Sequence, residues 1–188
     1  MMRNAVKVVF ALALSLIVCT AYAAPSLNPD NGHFYEIVYT GYLNFSEAAT
    51  AAESLEFGGI QGHLVSITSA QEQAFVASLD VPFGAWIGGL QSDNLDEPAG
   101  NWTWIDGEPW GYTNWSAGEP NDSGGEDCAQ WWEADGWNDM QCLEGWDYMV
   151  VEYDGVLRPV PALSPWMLLA LAALLFAVGY TAFKRRQS

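Results

Sequence analysis

The segment from Ala85 to Asp147 contains no stretch that is long and periodic enough to form a helix. Short aromatic runs such as Trp86-Ile87 and Gln130-Trp-Trp132 alternate there with glycine, proline, asparagine and aspartate, which favour turns. A fold that includes this segment must be built from short strands and ordered loops. Because loops on a rigid scaffold often carry binding residues, we expect the function to lie here.

The residues before this segment predict the regular elements. His33 to Tyr39 alternates aromatic and β-branched residues and predicts a strand, and His63 to Ile67 predicts a shorter one. Ser46 to Glu56 predicts a helix, because alanines and a leucine recur at helical spacing. Ser69 to Leu79 predicts a second helix, which begins with a Ser-Ala-Gln-Glu capping box. Two early helices, short strands and long loops indicate an α+β fold.

The N-terminal end has the composition of a signal peptide. Residues 1–23 combine two basic residues, an apolar run and a closing Ala-Tyr-Ala, which predicts cleavage before Ala24. A lipoprotein site at Cys19 fits less well, because the preceding valine is bulkier than such a site prefers. The chain is therefore expected to be exported.

The C-terminal end has the composition of a membrane anchor. Residues 166–183 carry no charge, which predicts a transmembrane helix, and the basic residues of 184–188 predict a cytoplasmic tail. The linker 155–165 contains three prolines, so the globular domain is predicted to span 24–154. We expect the inner membrane to hold this domain outside the cytoplasm.

The exported part is strongly acidic. All 23 acidic residues lie between Asp30 and Asp154, and Arg158 is the one basic residue outside the two ends, which leaves a formal charge of 1 − 23 = −22. This charge disfavours nucleic acid and anionic lipid as partners and favours cations.

Two cysteines, Cys128 and Cys142, remain after removal of a signal peptide. In an oxidising compartment such a pair most simply forms a disulfide, which would contribute about 3 kcal/mol for so short a loop. A zinc site would need further soft ligands. The two histidines, His33 and His63, lie far from both cysteines in the sequence and are interpreted as structural residues.

Carboxylate and carboxamide side chains cluster in two groups, one before each cysteine. Calcium takes about six to eight oxygen ligands, and such side chains supply them. A disulfide between the cysteines would hold the second group against the first and complete most of a calcium shell. The candidate ligands are Glu119, Asn121, Glu126, Asn138 and Asp139.

The order of these motifs resembles the calcium and sugar site of the C-type lectin domain: Glu119-Pro-Asn121, Gly125-Glu-Asp-Cys128, and Trp137-Asn-Asp139 before Cys142. Gly62-His-Leu-Val-Ser66 and Trp86-Ile-Gly-Gly89 are similar to early signatures of the same family. The resemblance covers about residues 34–153. It implies a C-type lectin-like fold with two helices, small antiparallel sheets and a long calcium-binding loop region.

The resemblance also implies residue roles. Pro120 would follow a cis peptide bond, and Asp139 would bind calcium through its backbone carbonyl as well as its side chain. Glu before Asn is the family's pattern for mannose, glucose, N-acetylglucosamine and fucose, with galactose less favoured. Calcium and sugar would share the ligands Glu119, Asn121, Glu126, Asn138 and Asp139. A second calcium would use Asp93, Glu97, Asp122 and Glu126.

The sequence departs from the family at one disulfide. Ala52 and Val151 stand where the family's other pair of cysteines is expected. The ends of this domain must therefore be held together by packing.

The segment Val160-Pro-Ala-Leu-Ser164, with the apolar run and basic end after it, is similar to C-terminal sorting signals of Gram-negative bacteria. These signals, of the Ile-Pro-Thr-Leu and PEP-CTERM types, are substrates of a membrane exosortase. The resemblance implies a bacterial protein that is released to the cell surface or matrix, where it would act in adhesion or exopolysaccharide attachment. A permanent anchor is the alternative.

Other interpretations of the domain stay open. It would alternatively be a calcium-stabilised module that binds protein, or a domain whose acidic loop is merely solvated. A glycosidase, which would need a carboxylate pair such as Glu126 and Asp127, is the best enzymatic alternative. No serine or cysteine nucleophile has a suitable base nearby, so the sequence predicts a binding protein and no enzyme. Core positions are predicted for Trp86, Trp102 and Trp104, and rim positions for Trp110, Trp115 and Trp132.

Overall fold

The computed structural model describes residues 24–92 and 96–155. The predicted signal peptide, the predicted membrane segment with its basic tail, and Asp93 lie outside these ranges. Within them, no helix has the length and apolar character needed to cross a membrane.

The described elements follow one another in an order that places both helices early. They are β1 (Ser26–Leu27), β2 (Phe34–Leu43), α1 (Phe45–Glu53), β3 (Glu56–Phe57), β4 (Ile60–Leu64), α2 (Ala70–Ala77), β5 (Trp86–Gln91), β6 (Trp102–Trp104), β7 (Cys128–Trp131), a 3-10 turn (Glu133–Asp135), β8 (Trp137–Met140) and β9 (Trp146–Tyr153). The predicted α+β class is confirmed.

The sheet is organised around β9. Its main path runs β1-β2-β9-β5-β7-β8, with β4 also paired to β9 and β6 paired to β5. Strands β2 and β9 are antiparallel, with Phe34 opposite Tyr153, whereas β5 runs parallel to β9. The order separates β8 from β9 by two strands, and β8 carries the second group of predicted ligands.

Helix α1 begins and ends earlier than predicted. Asn44 and not Ser46 caps it: the Asn44 carboxamide accepts the Glu47 N–H, and the Glu47 carboxylate accepts the Asn44 N–H, at 3.0 Å and 3.1 Å. The helix ends at Glu53 because Glu56 and Phe57 pair with β4 instead. The predicted end at Glu56 was wrong.

Helix α2 has only half of the predicted capping box. The Ser69 hydroxyl accepts the Glu72 N–H at 3.2 Å. The Glu72 carboxylate binds the backbone N–H and hydroxyl of Thr68 instead of the Ser69 backbone, at 2.8 Å and 2.9 Å. Glu72 is buried, so its charge belongs to the interior of the domain and not to the helix surface.

Aromatic packing makes up much of the core. Trp86, Trp102 and Trp104 are buried, as predicted. Trp104 and Trp137 meet edge to face, with ring centroids 5.5 Å apart, a geometry that adds about 0.5–1.5 kcal/mol beyond area burial. Two core clusters, one of which contains this pair, lie around the central strands.

Packing replaces the family's missing disulfide. Ala52 of α1 and Val151 of β9 are both fully buried. A Cβ placed on Gly62 would lie 2.9 Å from the Ala52 carbonyl oxygen and 2.8 Å from Val151 Cγ1. The two chain segments are thus in close contact through Gly62, which has no side chain to keep them apart.

Candidate functional site

A disulfide fixes the base of the predicted site. Cys128 and Cys142 are bonded, with their Cα atoms 5.2 Å apart, which confirms the predicted pair. Cys128 lies on β7 opposite Met140 of β8. The bond therefore connects the end of the acidic loop, residues 118–128, to the segment that follows β8.

The acidic loop turns at Pro120. The Glu119–Pro120 peptide bond is cis, and so is the Glu97–Pro98 bond, which the sequence did not suggest. The side chains that flank Pro120 contact each other, since Asn121 Nδ2 donates to Glu119 Oε2.

Asp139 is the anchor of the acidic loop. Its side chain is fully buried on β8, and its carboxylate accepts the Asn121 N–H at 2.8 Å and the Asp122 N–H at 2.7 Å. Hydrogen bonds to a charged group contribute about 1.5–3 kcal/mol each. The loop is therefore held against β8 by a residue of the second ligand group.

The remaining predicted ligands lie beside this anchor. Glu126 is buried, and its Oε2 accepts the Ser123 N–H at 3.0 Å. The Glu126 N–H donates to Asp122 Oδ1 at 2.8 Å. Asn138 is also buried and donates from Nδ2 to the carbonyl oxygen of Asp139.

The electrostatics of the loop are repulsive. Desolvation raises the pKa of the Glu119 carboxyl, and Asp139 adds to this rise. Desolvation likewise raises the pKa of Glu126, with further contributions from the charges of Asp139 and Glu119. The described residues contain no lysine or arginine to balance these charges.

A hard divalent cation fits this donor set, because it would replace repulsion by attraction and accept carboxylate and carboxamide oxygens alike. Glu119, Glu126 and Asp139 do not, however, bring their oxygens together within 4.8 Å among the described residues. Asn138 and Asp139 lie on β8 and the acidic loop is bound to Asp139, but the carboxylates would have to move closer together to share an ion.

The candidates for a second calcium are only partly described. Asp93 lies outside the described ranges. Both carboxylate oxygens of Glu97 are shut off from solvent, and the side chain of Gln91 lies near them. Desolvation raises the pKa of Glu97, and the charge of Asp122 adds to the rise. The charges of Glu97 and Asp122 therefore interact, and the second calcium site stays a prediction.

Two of the predicted rim tryptophans line a cavity beside Glu119. The cavity measures about 370 Å³ and includes Trp115 and Trp132 in its wall. Trp110 instead packs among the core tryptophans, with its ring centroid 4.5 Å from that of Trp104. The cavity wall next to Glu119 is therefore partly aromatic.

A second polar cluster, which the sequence did not reveal, lies where β2, β9 and β4 meet. We call it the histidine cluster: His33, His63, Asp106, Glu152 and Asp154. Glu152 is buried, and its Oε1 lies 2.8 Å from His33 Nδ1. Asp154 pairs with both histidines, at 3.3 Å and 3.1 Å.

Hydrogen bonds connect this cluster to α2. The Tyr35 hydroxyl lies between Glu72 and Glu152, 2.6 Å and 2.7 Å from their Oε1 atoms. Burial raises the pKa of the Glu152 carboxyl. Burial opposes protonation of His63, but its contacts with Asp154 and the Leu64 carbonyl outweigh burial and raise the pKa of His63 to about 9.

The sequence contained one weak signal for this cluster, an acidic residue among the apolar residues of 148–153. No local spacing connects it to the histidines, since His33 and Glu152 are 119 residues apart.

Residues 44–149 match a family model described as the Lectin C-type domain. The chain belongs to the C-type lectin domain family. The match covers more than half of the chain, and solved C-type lectin structures share the architecture described above, so the predicted C-type lectin-like fold is confirmed. The family is a non-enzymatic one, as predicted for this domain.

Similar proteins include receptors and sugar-binding domains. The low affinity immunoglobulin epsilon Fc receptor of Mus musculus is 44% identical over 110 residues, which cover 56% of this chain and 32% of that protein. The C-type carbohydrate-recognition domain of cow CD23, solved in the presence of a GlcNAc2Man3 oligosaccharide, is 32% identical with a TM-score of 0.56, over 66% of this chain and 89% of that one.

The fold is also found in a protein that functions without calcium. A calcium-independent type II antifreeze protein is 27% identical with a TM-score of 0.56, over 70% of this chain and 92% of that chain. The match spans 32% of the length of the mouse Fc receptor and 40% of the length of the C-type lectin domain family 4 member G of Mus musculus.

Proposed function

We propose that this C-type lectin domain binds mannose-type sugars in a calcium-dependent manner. The observation that carries the proposal is the junction of the Glu119-Pro120-Asn121 loop with Asp139, through two backbone hydrogen bonds to a buried carboxylate. This junction brings both predicted ligand groups to one place. The ligands proposed for calcium and sugar are Glu119, Asn121, Glu126, Asn138 and Asp139.

The chemistry of these side chains suits a sugar with two neighbouring hydroxyls. When bound, calcium would accept oxygen ligands from both the protein and the sugar. Each hydroxyl can donate to a carboxylate and accept from a carboxamide N–H. Glu119 and Asn121 offer one group of each kind side by side, a pairing that favours mannose, glucose, N-acetylglucosamine and fucose over galactose in the family that this chain resembles.

The cavity beside Glu119 extends the proposed site. Trp115 and Trp132 would contact the part of a glycan that continues beyond the calcium-bound sugar. The cow CD23 domain, which was solved in the presence of an oligosaccharide, supports glycan binding by this fold.

The cellular role is proposed from the two ends of the chain. We propose a bacterial protein that is exported, held in the inner membrane by residues 166–183, and processed by an exosortase at its sorting motif. The released lectin would attach cells to surfaces or to matrix polysaccharide. The exported part of the chain, with a formal charge of −22, is compatible with solubility outside the cell.

The direct test is retention of the purified full chain on mannose-agarose and galactose-agarose, with calcium and with chelator. We expect retention on mannose-agarose in calcium and elution by chelator. Retention on mannose-agarose that survives the chelator would contradict the proposed mechanism.

A second candidate is a calcium-stabilised module that binds protein. Two observations favour it: the carboxylates of Glu119, Glu126 and Asp139 do not converge within 4.8 Å in the described residues, and a relative of the same fold is calcium-independent. Under this alternative, calcium would raise the melting temperature while a glycan array and every sugar resin stay negative.

A further inference from the structure

The histidine cluster brings nitrogen and oxygen ligands together away from the proposed sugar site. His33 Nδ1, a Glu152 carboxylate oxygen and an Asp154 carboxylate oxygen all lie within 4.8 Å of one another. Strands β5 and β7 separate β9, which carries Glu152, from β8, which carries Asp139. The two ligand groups therefore belong to different parts of the sheet.

We propose that His33, Glu152 and Asp154 bind a divalent transition-metal ion of the Zn²⁺ type, with a fourth position left to water. His33 Nδ1 lies 2.8 Å from Glu152 Oε1 and 3.3 Å from Asp154 Oδ1. Zinc bonds of about 2.0 Å in a tetrahedron place neighbouring ligand atoms about 3.3 Å apart. One imidazole with two carboxylates suits zinc, because calcium takes oxygen ligands only.

Paired strands position the three ligands. Tyr35 of β2 is directly opposite Glu152 of β9, and Phe34 is opposite Tyr153. His33 immediately precedes this ladder and Asp154 immediately follows it, so the two residues are neighbours across the strand pair. The backbone that carries all three ligands is therefore held by the antiparallel hydrogen bonds of the central sheet.

Hydrogen bonds and ion pairs to neighbouring residues orient the carboxylates of Glu152 and Asp154. The Ser66 N–H donates to Glu152 Oε2 at 3.0 Å, while Glu152 Oε1 faces His33 Nδ1 at 2.8 Å and accepts the Tyr35 hydroxyl at 2.7 Å. His63 Nε2 lies 3.1 Å from Asp154 Oδ2, which leaves Oδ1 directed at His33. Such outer partners commonly orient metal ligands and strengthen binding.

The local charge also favours a divalent cation. Four carboxylates, those of Glu72, Asp106, Glu152 and Asp154, surround two imidazoles, so even two protonated histidines leave a formal charge of 2 − 4 = −2. The described ranges contain no lysine or arginine that could supply the difference. The His33 side chain is 31% exposed and that of Asp154 is 45% exposed, so an ion can reach them from solvent.

The competing explanation is that protonated His33 acts as a simple counter-ion of Glu152. The two explanations differ in whether zinc is bound, since binding requires His33 to lose its proton.

The test is a titration of the metal-stripped full chain with ZnCl₂ by calorimetry, in excess calcium so that the acidic loop is filled. We expect one zinc ion per chain. CoCl₂ in place of zinc should give the visible absorption of a four-coordinate nitrogen and oxygen site. His33→Ala and Asp154→Asn should each weaken zinc binding at least about tenfold.

Asp147→Asn is the matched control, because Asp147 is an exposed aspartate on the same strand, β9; it should leave zinc affinity unchanged. Thermal melts establish that each variant is folded, and Asp154→Asn decides if His33→Ala does not fold. Absence of zinc binding by the wild-type chain, or equal affinity in all three variants, would overturn the proposal. The second result would assign the zinc to exposed carboxylates.

Discussion

The acidic loop and the histidine cluster are both crowded with carboxylates, but they differ in what stabilises the charge. In the loop, backbone N–H groups bind Glu126 and, on β8, Asp139, and residues 118–128 contain no lysine or arginine. In the cluster, two histidines and a tyrosine hydroxyl contact Glu152 and Asp154. Backbone groups therefore stabilise the charges of the loop region, whereas side-chain partners stabilise those of the cluster.

The same substitution in both regions should separate these roles. Glu152→Gln should lower the free energy of unfolding by about 3–5 kcal/mol, because it leaves buried partners unpaired. Glu126→Gln should leave the unfolding energy of the calcium-free chain nearly unchanged, since it removes repulsion, but should abolish calcium-dependent sugar retention. Denaturant melts and sugar resins measure the two effects. Equal destabilisation by both variants would mean that the two regions do not differ in this way.

Removal of the disulfide should damage the loop more than the cluster. Cys128→Ser with Cys142→Ser should cost about 3 kcal/mol of stability and should release the loop from the segment after β8. We expect sugar retention to be lost while zinc affinity of the remaining folded chain is kept. Loss of both ligands in parallel would show that the regions are coupled.

The pH dependence of stability should also differ, and both windows can be observed in chelator. The raised pKa of His63, about 9, means that its contribution is complete below about pH 6.5 and is lost as pH rises through 9. The pKa values of Glu119 and Glu126 are raised in the folded chain, so ionisation of these two groups destabilises it. This stability is lost as pH rises from the ordinary glutamate pKa, in a window below that of His63.

The His63→Gln substitution should change only the upper pH window of stability, and calcium should change only the lower one. His63→Gln, which removes the contacts with Asp106 and Asp154, should flatten the upper window by about 1–2 kcal/mol. With calcium present, stability in the lower window should increase with pH and not decrease, because bound calcium requires ionised carboxylates. Melting temperatures measured across pH, with and without calcium, test both expectations. If His63→Gln loses stability between about pH 6.5 and 9 as the wild-type chain does, the expectation for His63 is contradicted.

The smallest predicted effect concerns sugar choice. Asn121→Asp removes the carboxamide donor beside Glu119 and should weaken mannose binding about tenfold, equivalent to about 1.4 kcal/mol, or shift preference between sugars. The fold should be unaffected, because the Asn121 side chain is exposed and only its backbone N–H binds Asp139. Calorimetry with monosaccharides measures the change, and unaltered affinity would remove Asn121 from the proposed site.

The sequence allowed prediction of the loop but not of the cluster, and the reason is distance along the chain. The acidic loop and β8 lie within about twenty residues, and their motifs have a recognisable order, so the disulfide and the fold could be predicted. Glu72 was interpreted as a helix cap because its spacing from Ser69 fits one. One Glu72 oxygen binds neighbouring Thr68, but the other accepts the hydroxyl of Tyr35, which is 37 residues away, and only the folded sheet brings these two residues together.

The predicted boundaries of helix α1 were wrong for a related reason. Both Asn44 and Ser46 are good N-cap residues, and only the Glu47 side chain, which binds the Asn44 N–H, decides between them. The helical spacing of the residues gave no sign that Glu56 pairs with Gln61 of β4 as part of strand β3.

The central position of β9 has a mechanical consequence. The strand ends at Tyr153, close to the linker that would join the domain to a membrane. A force applied through that linker would act on the domain along β9. The hydrogen bonds from β9 to β2 lie roughly perpendicular to the strand. Such a load shears many hydrogen bonds at once, so a tethered domain should resist extension best in the direction in which its anchor would pull.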